Sequence, residues 1–152
     1  MMKRYFPAII LILFLILILG FSAQSGNTTN SLSSGIAKKV ETLLHSKGDY
    51  SYNFATIHYT IRKLAHIFEF MVLAVLLVSA LHNIFKRMIP SLLLSGIISI
   101  CIAFIDEMFQ SLSIERTSSL FDVMIDSIGA MVGLIAIGVF VFFRWVQDPK
   151  KK

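Results

Sequence analysis

Four long, predominantly apolar stretches constrain this 152-residue chain more than any other feature. A helix needs about 20 apolar residues to cross the hydrocarbon core of a bilayer. The stretches at residues 5–21, 61–81, 88–105 and 123–143 approach or exceed that length. Because a backbone in lipid must satisfy its hydrogen bonds internally, each stretch is predicted to be α-helical. We therefore predict an all-α, polytopic membrane protein with four transmembrane helices, organised as one domain over residues 1–152.

The composition excludes several other classes of protein. Hydrophobic residues make up 56% of the chain and charged residues only 15%, whereas a soluble domain is nearer half apolar and a quarter charged. A soluble enzyme, a disordered tail and a secreted disulfide scaffold are therefore excluded. The 14 Lys and Arg residues exceed the 9 acids, but they flank the apolar stretches and form no stripe for nucleic acid, so no nucleic-acid partner is predicted.

The distribution of Lys and Arg predicts the orientation of the chain. Under the positive-inside rule, the side richer in basic residues faces the cytoplasm. The N-terminus, the loop between the second and third stretches and the C-terminus together carry eight basic residues and one acid. The opposite side carries six basic and eight acidic residues. Both termini are thus predicted to be cytoplasmic, with residues 22–60 forming an external loop.

The first stretch has a second interpretation, a cleaved signal peptide, because it joins a basic start to a short apolar core. Cleavage after Ser22 would satisfy the small-residue rule, since Gly20 lies at the −3 position, whereas cleavage after Ala23 would place bulky Phe21 there. We favour retention of this stretch as a membrane span.

The external loop is predicted to contain one short amphipathic helix. Its Ser-, Asn-, Thr- and Gly-rich beginning, up to Gly35, is typical of a loop. Leu32, Ile36, Val40 and Leu43 then recur at helical spacing, and Gly48 follows as a stop signal. Such a helix either lies in the outer interface or packs on the bundle, and the sequence does not separate these alternatives.

Polar residues gather at one end of the predicted bundle, whereas the inner halves of the spans are almost purely aliphatic. Arg62, His66 and Glu69 begin the second span and share one helical face, because they are four and three residues apart. The segment 106–110 ends the third span, and Asp126 lies inside the fourth. An ionised residue at a helix centre costs roughly 2.5–3.5 kcal/mol, so these acids are predicted to be paired, hydrated or protonated.

Structural interpretations compete with the functional ones for several of these residues. Ser119 and Asp122 fit a capping box, which would make Asp122 part of a helix N-terminus. Lys63 is interpreted as an interfacial anchor that extends its amine toward water. Gly129 and Gly133 are interpreted as a small-xxx-small packing patch.

The ordered polar motifs resemble those of the VanZ-like family, over nearly the whole chain. The matching residues are Phe21-Ser22-x-Gln24, Lys63-x-x-His66-x-x-Glu69-Phe70, Asp106-Glu107-x-x-Gln110, Arg116, Asp122, Asp126, Gly129 and Gly133. Three positions depart from the usual pattern, namely Ala23, Phe70 and Glu115. The resemblance implies a small multi-pass protein of the bacterial cell membrane, in a family whose namesake is associated with low-level resistance to the glycopeptide teicoplanin.

These residues lead to a first functional hypothesis, an intramembrane enzyme that acts on a lipid-linked substrate of the cell envelope by acid/base chemistry. The predicted catalytic residues are His66, Glu69, Asp106, Glu107 and Asp126. The predicted substrate-binding residues are Gln24, Arg62, Gln110, Arg116 and Asp122.

The cofactor is left open by the sequence. In a metal-assisted variant, His66, Glu69, Asp106 and Glu107 would offer imidazole and oxygen donors suited to Mn, Zn or Fe. This variant ranks below metal-free chemistry, because the cluster has no second histidine.

A non-enzymatic module that binds an envelope lipid, the antibiotic or a partner protein is the second hypothesis. Transport is disfavoured, because the aliphatic inner halves offer no polar path, although a homodimer would change that argument.

Overall fold

A computed structural model describes residues 2–22, 26–112 and 119–147, which form five α-helices. Their bounds are α1 Met2–Ser22, α2 Gly26–Ser46, α3 Phe54–Phe85, α4 Met88–Leu112 and α5 Leu120–Val146. Within these described residues, α1, α3, α4 and α5 are long and apolar enough to cross a membrane. The predicted all-α architecture with four spanning helices is confirmed.

The helices extend beyond the predicted spans because capping groups fix their ends. Asn53 precedes α3, and its side chain accepts a hydrogen bond of 2.9 Å from the Thr56 N–H, which satisfies one of the free donors at a helix start. At the other end, Lys86 adopts a left-handed conformation with φ of 55° and donates its N–H to the His82 carbonyl. The helix therefore begins before residue 61 and continues past residue 81, so the segment between the first two spanning helices is shorter than the predicted 22–60.

The prediction of a loop up to Gly35 is wrong, since α2 already begins at Gly26. Packing against α3 provides the reason, because tertiary contacts override the weak helix propensity of a Ser- and Gly-rich segment. Ala37 is completely buried, and the Ser33 hydroxyl lies 2.6 Å from Nε2 of His58 on α3. Gly48 ends the helix as predicted, with a φ of 80°. The amphipathic helix thus packs on the bundle.

Two glycines bring α5 into direct contact with the backbone of α3. A Cβ atom built at Gly133 would lie 2.5 Å from the Met71 carbonyl oxygen, and one built at Gly129 would lie 2.8 Å from the Cα of Ile67. Gly129 contacts Ile67, and Gly133, four residues later, contacts Met71, which is also four residues later. The two helices therefore run parallel. The predicted packing role of the small-xxx-small patch fits this close approach.

The hydrophobic core lies between the spanning helices, and α1 belongs to it. Ile18 of α1 is buried together with Phe70, Leu73 and Ala103. The buried face of α4 is more polar than predicted, because it continues from Ala103 through three fully buried serines, Ser99, Ser95 and Ser91. The expectation of almost purely aliphatic inner halves is therefore wrong for α4. Serine is uncharged and small enough to let neighbouring helices approach closely.

Candidate functional site

Helix direction places the polar residues of four helices at one end of the bundle. This polar end consists of the last turns of α1 and α4 and the first turns of α3 and α5. The assignment follows from three contacts: Ser22 at the end of α1 donates a hydrogen bond to Asp106 of α4, Lys63 of α3 pairs with Asp122 of α5, and His66 of α3 faces Asp126 of α5.

The centre of the polar end is a triad of His66, Asp106 and Asp126. One potential ligand atom of each residue lies within 4.8 Å of the others. Nδ1 of His66 is 3.2 Å from Oδ1 of Asp126, but the two atoms are not aligned for a hydrogen bond. Asp126 is fully buried, and neither of its carboxylate oxygens has a hydrogen-bond partner among the described residues.

The carboxylate of Asp106 is held by two side chains that fix its orientation. The Ser22 hydroxyl donates to Oδ1, and the Gln110 amide donates to Oδ2 at 2.6 Å. Asp106 and Gln110 are four residues apart on α4, so this second contact follows from the helix itself. All three residues are buried. The acid is therefore positioned from two helices before any ligand binds.

A cavity of about 410 Å³ opens beside the triad, between α1, α2, α3 and α4. Its polar lining includes Arg62, His66, Glu69 and Gln110. The remaining lining is mostly apolar, and comes chiefly from Phe14, Leu17, Phe21, Ile36, Ile61 and Phe68. The cavity therefore combines an apolar wall with one charged corner, as a binding site for an amphiphilic molecule would.

Two further acids at the polar end have contacts that hold helices together. Lys63 pairs with Asp122, and both side chains are about four-fifths buried. The interpretation of Lys63 as an interfacial anchor is therefore wrong, because an acid on the parallel helix α5 lies within its reach. The predicted capping box does not form, because the Ser119 hydroxyl accepts from the Phe121 N–H and the Ser119 N–H donates to Glu107. The Asp122 carboxylate is instead the partner of Lys63.

The predicted site residues thus separate into three groups. Those facing the cavity or the triad are His66, Glu69, Asp106, Asp126, Arg62 and Gln110. Asp122 and Glu107 lie at the periphery, in the contacts described above. Gln24 and Arg116 lie outside the described residues.

Sequence reasoning did not select Ser22, Ser33 or Lys63 as members of the site. Ser22 could have been found, because it lies in the motif of residues 21–24 and ends the first span. Ser33 lines the cavity, but its Ser- and Gly-rich surroundings predict a loop. The partner of Lys63 depends on the register between α3 and α5, for which the sequence alone offers no signal.

Electrostatics make the triad unusual for a membrane-spanning region. Asp106 and Asp126 lie close enough for their charges to act on Glu69, and the charges of all three acids act on His66. Uncompensated carboxylates in lipid are costly, and Lys63 is already paired with Asp122. The triad can therefore hold protons, a cationic group or a metal ion, because imidazole and carboxylate accept protons, attract cations and coordinate transition metals.

The fold and the site together define a class of protein, a multi-pass helical membrane protein with a buried polar cluster at one end of its bundle. The model of the VanZ/LLP1 family matches residues 6–144. The chain therefore belongs to the VanZ/LLP1 family, as the motif resemblance predicted. No curated protein and no solved structure matches the chain.

Proposed function

We propose that this protein acts on a lipid-linked substrate of the bacterial cell envelope, at the outer face of the membrane, by acid/base chemistry in the cavity. The observation that carries the proposal is the position of Glu69 and His66 in the wall of a cavity whose remaining lining is mostly apolar. Such a cavity suits a substrate with an acyl or prenyl chain and a polar head group.

The lipid chain would lie against the apolar wall. Leu17 and Phe68 line the cavity, and about half of the Leu17 side chain and 62% of the Phe68 side chain are exposed on the bundle surface. Because this surface lies within the predicted spans, a lipid could reach the cavity from the bilayer without crossing the polar end. Burying an apolar chain contributes about 0.8 kcal/mol per methylene group.

Arg62 would hold the head group. A guanidinium binds phosphate in a bidentate geometry and remains charged in a half-buried position. Arg62 lines the cavity and lies one turn before His66 on α3. A phosphate at Arg62 would therefore place the adjoining bonds of the substrate near His66 and Glu69.

Glu69 would be the general acid or base, which gives a proton to the bound substrate or takes one from it. It lines the cavity and forms no hydrogen bond with another described residue, unlike Asp106, whose two oxygens are both engaged. General acid/base catalysis by a positioned side chain contributes typically about 10²–10⁴-fold to a rate. Through such a change in an envelope lipid, the protein would contribute to teicoplanin resistance.

A susceptible bacterium that expresses the protein tests this proposal. We expect the wild type to raise the teicoplanin concentration needed to stop growth, and Glu69→Gln to abolish the increase at equal membrane abundance. Glu41→Gln is the matched control, because Glu41 lies on α2 and does not line the cavity. Full protection by Glu69→Gln would contradict the acid/base proposal.

A non-enzymatic binding module is the second candidate, favoured by the mostly apolar lining of the cavity. Such a module needs the head-group contact but not the proton transfer. It would lose protection with Arg62→Gln and keep it with Glu69→Gln. The two variants therefore distinguish an enzyme from a binding protein.

A further inference from the structure

We infer that His66, Asp106 and Asp126 form a binding site for one divalent transition-metal ion of the Zn²⁺, Mn²⁺ or Fe²⁺ type. The inference deepens the proposed function, because His66 of the triad also lines the cavity, and the chemical role of the ion rests on that function. Binding of the ion depends on the triad and on the residues that orient it, and not on Glu69, so it is measured separately.

The spacing of the donor atoms is the first argument. Two ligands that are each about 2.0–2.2 Å from one ion are separated by roughly 3 Å in octahedral or tetrahedral geometry. Nδ1 of His66 and Oδ1 of Asp126 are 3.2 Å apart, and donor atoms of all three residues lie within 4.8 Å of one another. The His66–Asp126 pair thus already has the spacing of two ligands of one ion, and the remaining pairs need to contract by less than about 2 Å.

The unsatisfied carboxylate of Asp126 is the second, independent argument. Buried polar groups in folded proteins almost always have a hydrogen-bond partner. Asp126 is fully buried, and neither oxygen has such a partner among the described residues, although the imidazole of His66 lies at hydrogen-bond distance. An atom pair that is close but not aligned for a hydrogen bond is the arrangement expected of two ligands that face a common ion.

Charge balance is the third argument. Asp106 and Asp126 would bring two negative charges into a membrane-spanning region, and a dication neutralises both. Their removal from water then becomes far less costly than for two isolated carboxylates. In the described part of the chain, the nearby cation Lys63 pairs with Asp122 and not with the triad.

The surroundings of Asp106 fit those of a metal ligand. Ligating carboxylates are themselves hydrogen-bonded by neighbouring groups that orient them. Ser22 and Gln110 each occupy one oxygen of Asp106, and a carboxylate oxygen has a second lone pair for an ion. These two residues are positioning residues for the site.

The ligand set determines the class of ion and its chemistry. One imidazole and two carboxylates suit Zn²⁺, Mn²⁺ or Fe²⁺ better than Mg²⁺, which favours an all-oxygen environment. Three protein ligands leave at least one position for water or a substrate oxygen, as in catalytic metal sites. A phosphate of the proposed lipid substrate could occupy that position, with Glu69 beside it as the acid/base group.

Metal content of the purified full-length protein in detergent tests the inference. We expect about one Zn²⁺ or Mn²⁺ per chain after equilibration and removal of free ion, with millimolar Mg²⁺ unable to compete. Asp126→Asn and His66→Gln should lower the affinity at least tenfold. Asp49→Asn is the matched control, because Asp49 lies in the segment between α2 and α3, away from the triad.

Ser22→Ala keeps the test decisive if a triad variant fails to reach the membrane. It removes one hydroxyl and no ligand, and loss of such an orienting group typically weakens metal binding by about 10–100-fold. Wild-type protein with less than a tenth of an ion per chain, or a Ser22→Ala variant that binds as tightly as wild type, would overturn the inference.

Glu69→Gln separates the metal site from the proposed function. This variant should retain the ion and lose the protection against teicoplanin. If it keeps both, the acid/base function fails while the metal site stands. If the wild type binds no ion and Glu69→Gln still loses protection, the metal site fails while the proposed function stands.

Discussion

Replacing Gly129 by alanine tests whether the contact between α3 and α5 positions the triad. The new Cβ atom would lie 2.8 Å from the Cα of Ile67, whereas non-bonded carbons pack at about 3.5–4.0 Å. The two helices must therefore separate by about 1 Å. The obstacle is backbone on both sides, so no side-chain rotation relieves it.

The separation has two measurable consequences. Overpacking of this kind typically costs about 1–3 kcal/mol of unfolding free energy, which is measured by titrating the protein from mild detergent into SDS. The triad residues lie beside the contact between Ile67 and Gly129. His66 precedes Ile67 by one residue on α3, and Asp126 precedes Gly129 by three residues on α5. Their 3.2 Å separation should therefore increase, with at least a tenfold weaker affinity for Zn²⁺.

Gly138→Ala is the matched control on the same helix. A Cβ atom built at Gly138 meets nothing within 4 Å, and alanine is the better helix former. We expect this variant to be as stable as the wild type or slightly more stable. Equal stability of Gly129→Ala and Gly138→Ala would refute the close packing of α3 on α5 and the argument built on it.

Further predictions concern the periphery of the site and the orientation of the chain. Lys63→Met should leave the largely buried Asp122 carboxylate unpaired and lower the unfolding free energy by about 1–3 kcal/mol, as measured in the same SDS titration. Exchanging the two residues (Lys63→Asp with Asp122→Lys) should recover much of this loss, and no recovery would mean that their charges do not interact. In a Cys101→Ser background, a membrane-impermeant thiol reagent added to whole cells should label Asp49→Cys but not Gln147→Cys, and the reverse result would invert the predicted orientation.

Helical periodicity and the cost of a buried charge were sufficient to predict the placement of several polar residues. Helical spacing places Arg62, His66 and Glu69 on one face of α3, and all three line the cavity. The cost of a charge in lipid likewise predicts that Asp126 is paired, hydrated or protonated, and the carboxylate is fully buried with Nδ1 of His66 3.2 Å away. Periodicity and desolvation act within a single helix, so both can be evaluated from sequence.

Contacts between helices were harder to predict, because they depend on register. The pairs Lys63–Asp122 and Glu107–Ser119 arise only when α3, α4 and α5 are set side by side. The packing of α2 on α3 likewise converts a segment of weak helix propensity into a helix. In each case tertiary packing outweighs the local preference on which a sequence-based prediction depends.

The buried serine face of α4 has a clear signal in the sequence. Ser91, Ser95 and Ser99 recur every four residues and therefore share one face of the helix. All three are completely buried. A hydropathy average over the third span conceals this pattern, because serine lowers the average far less than a charged residue does.

Quantitative mass spectrometry of membrane lipids tests the central claim most directly. Cells that express the wild type, Glu69→Gln or Glu41→Gln at equal abundance would be compared with cells that lack the protein. We predict that at least one envelope lipid changes in abundance with the wild type and with Glu41→Gln, and returns to the background level with Glu69→Gln. Identical lipid profiles for the wild type and Glu69→Gln would contradict the account.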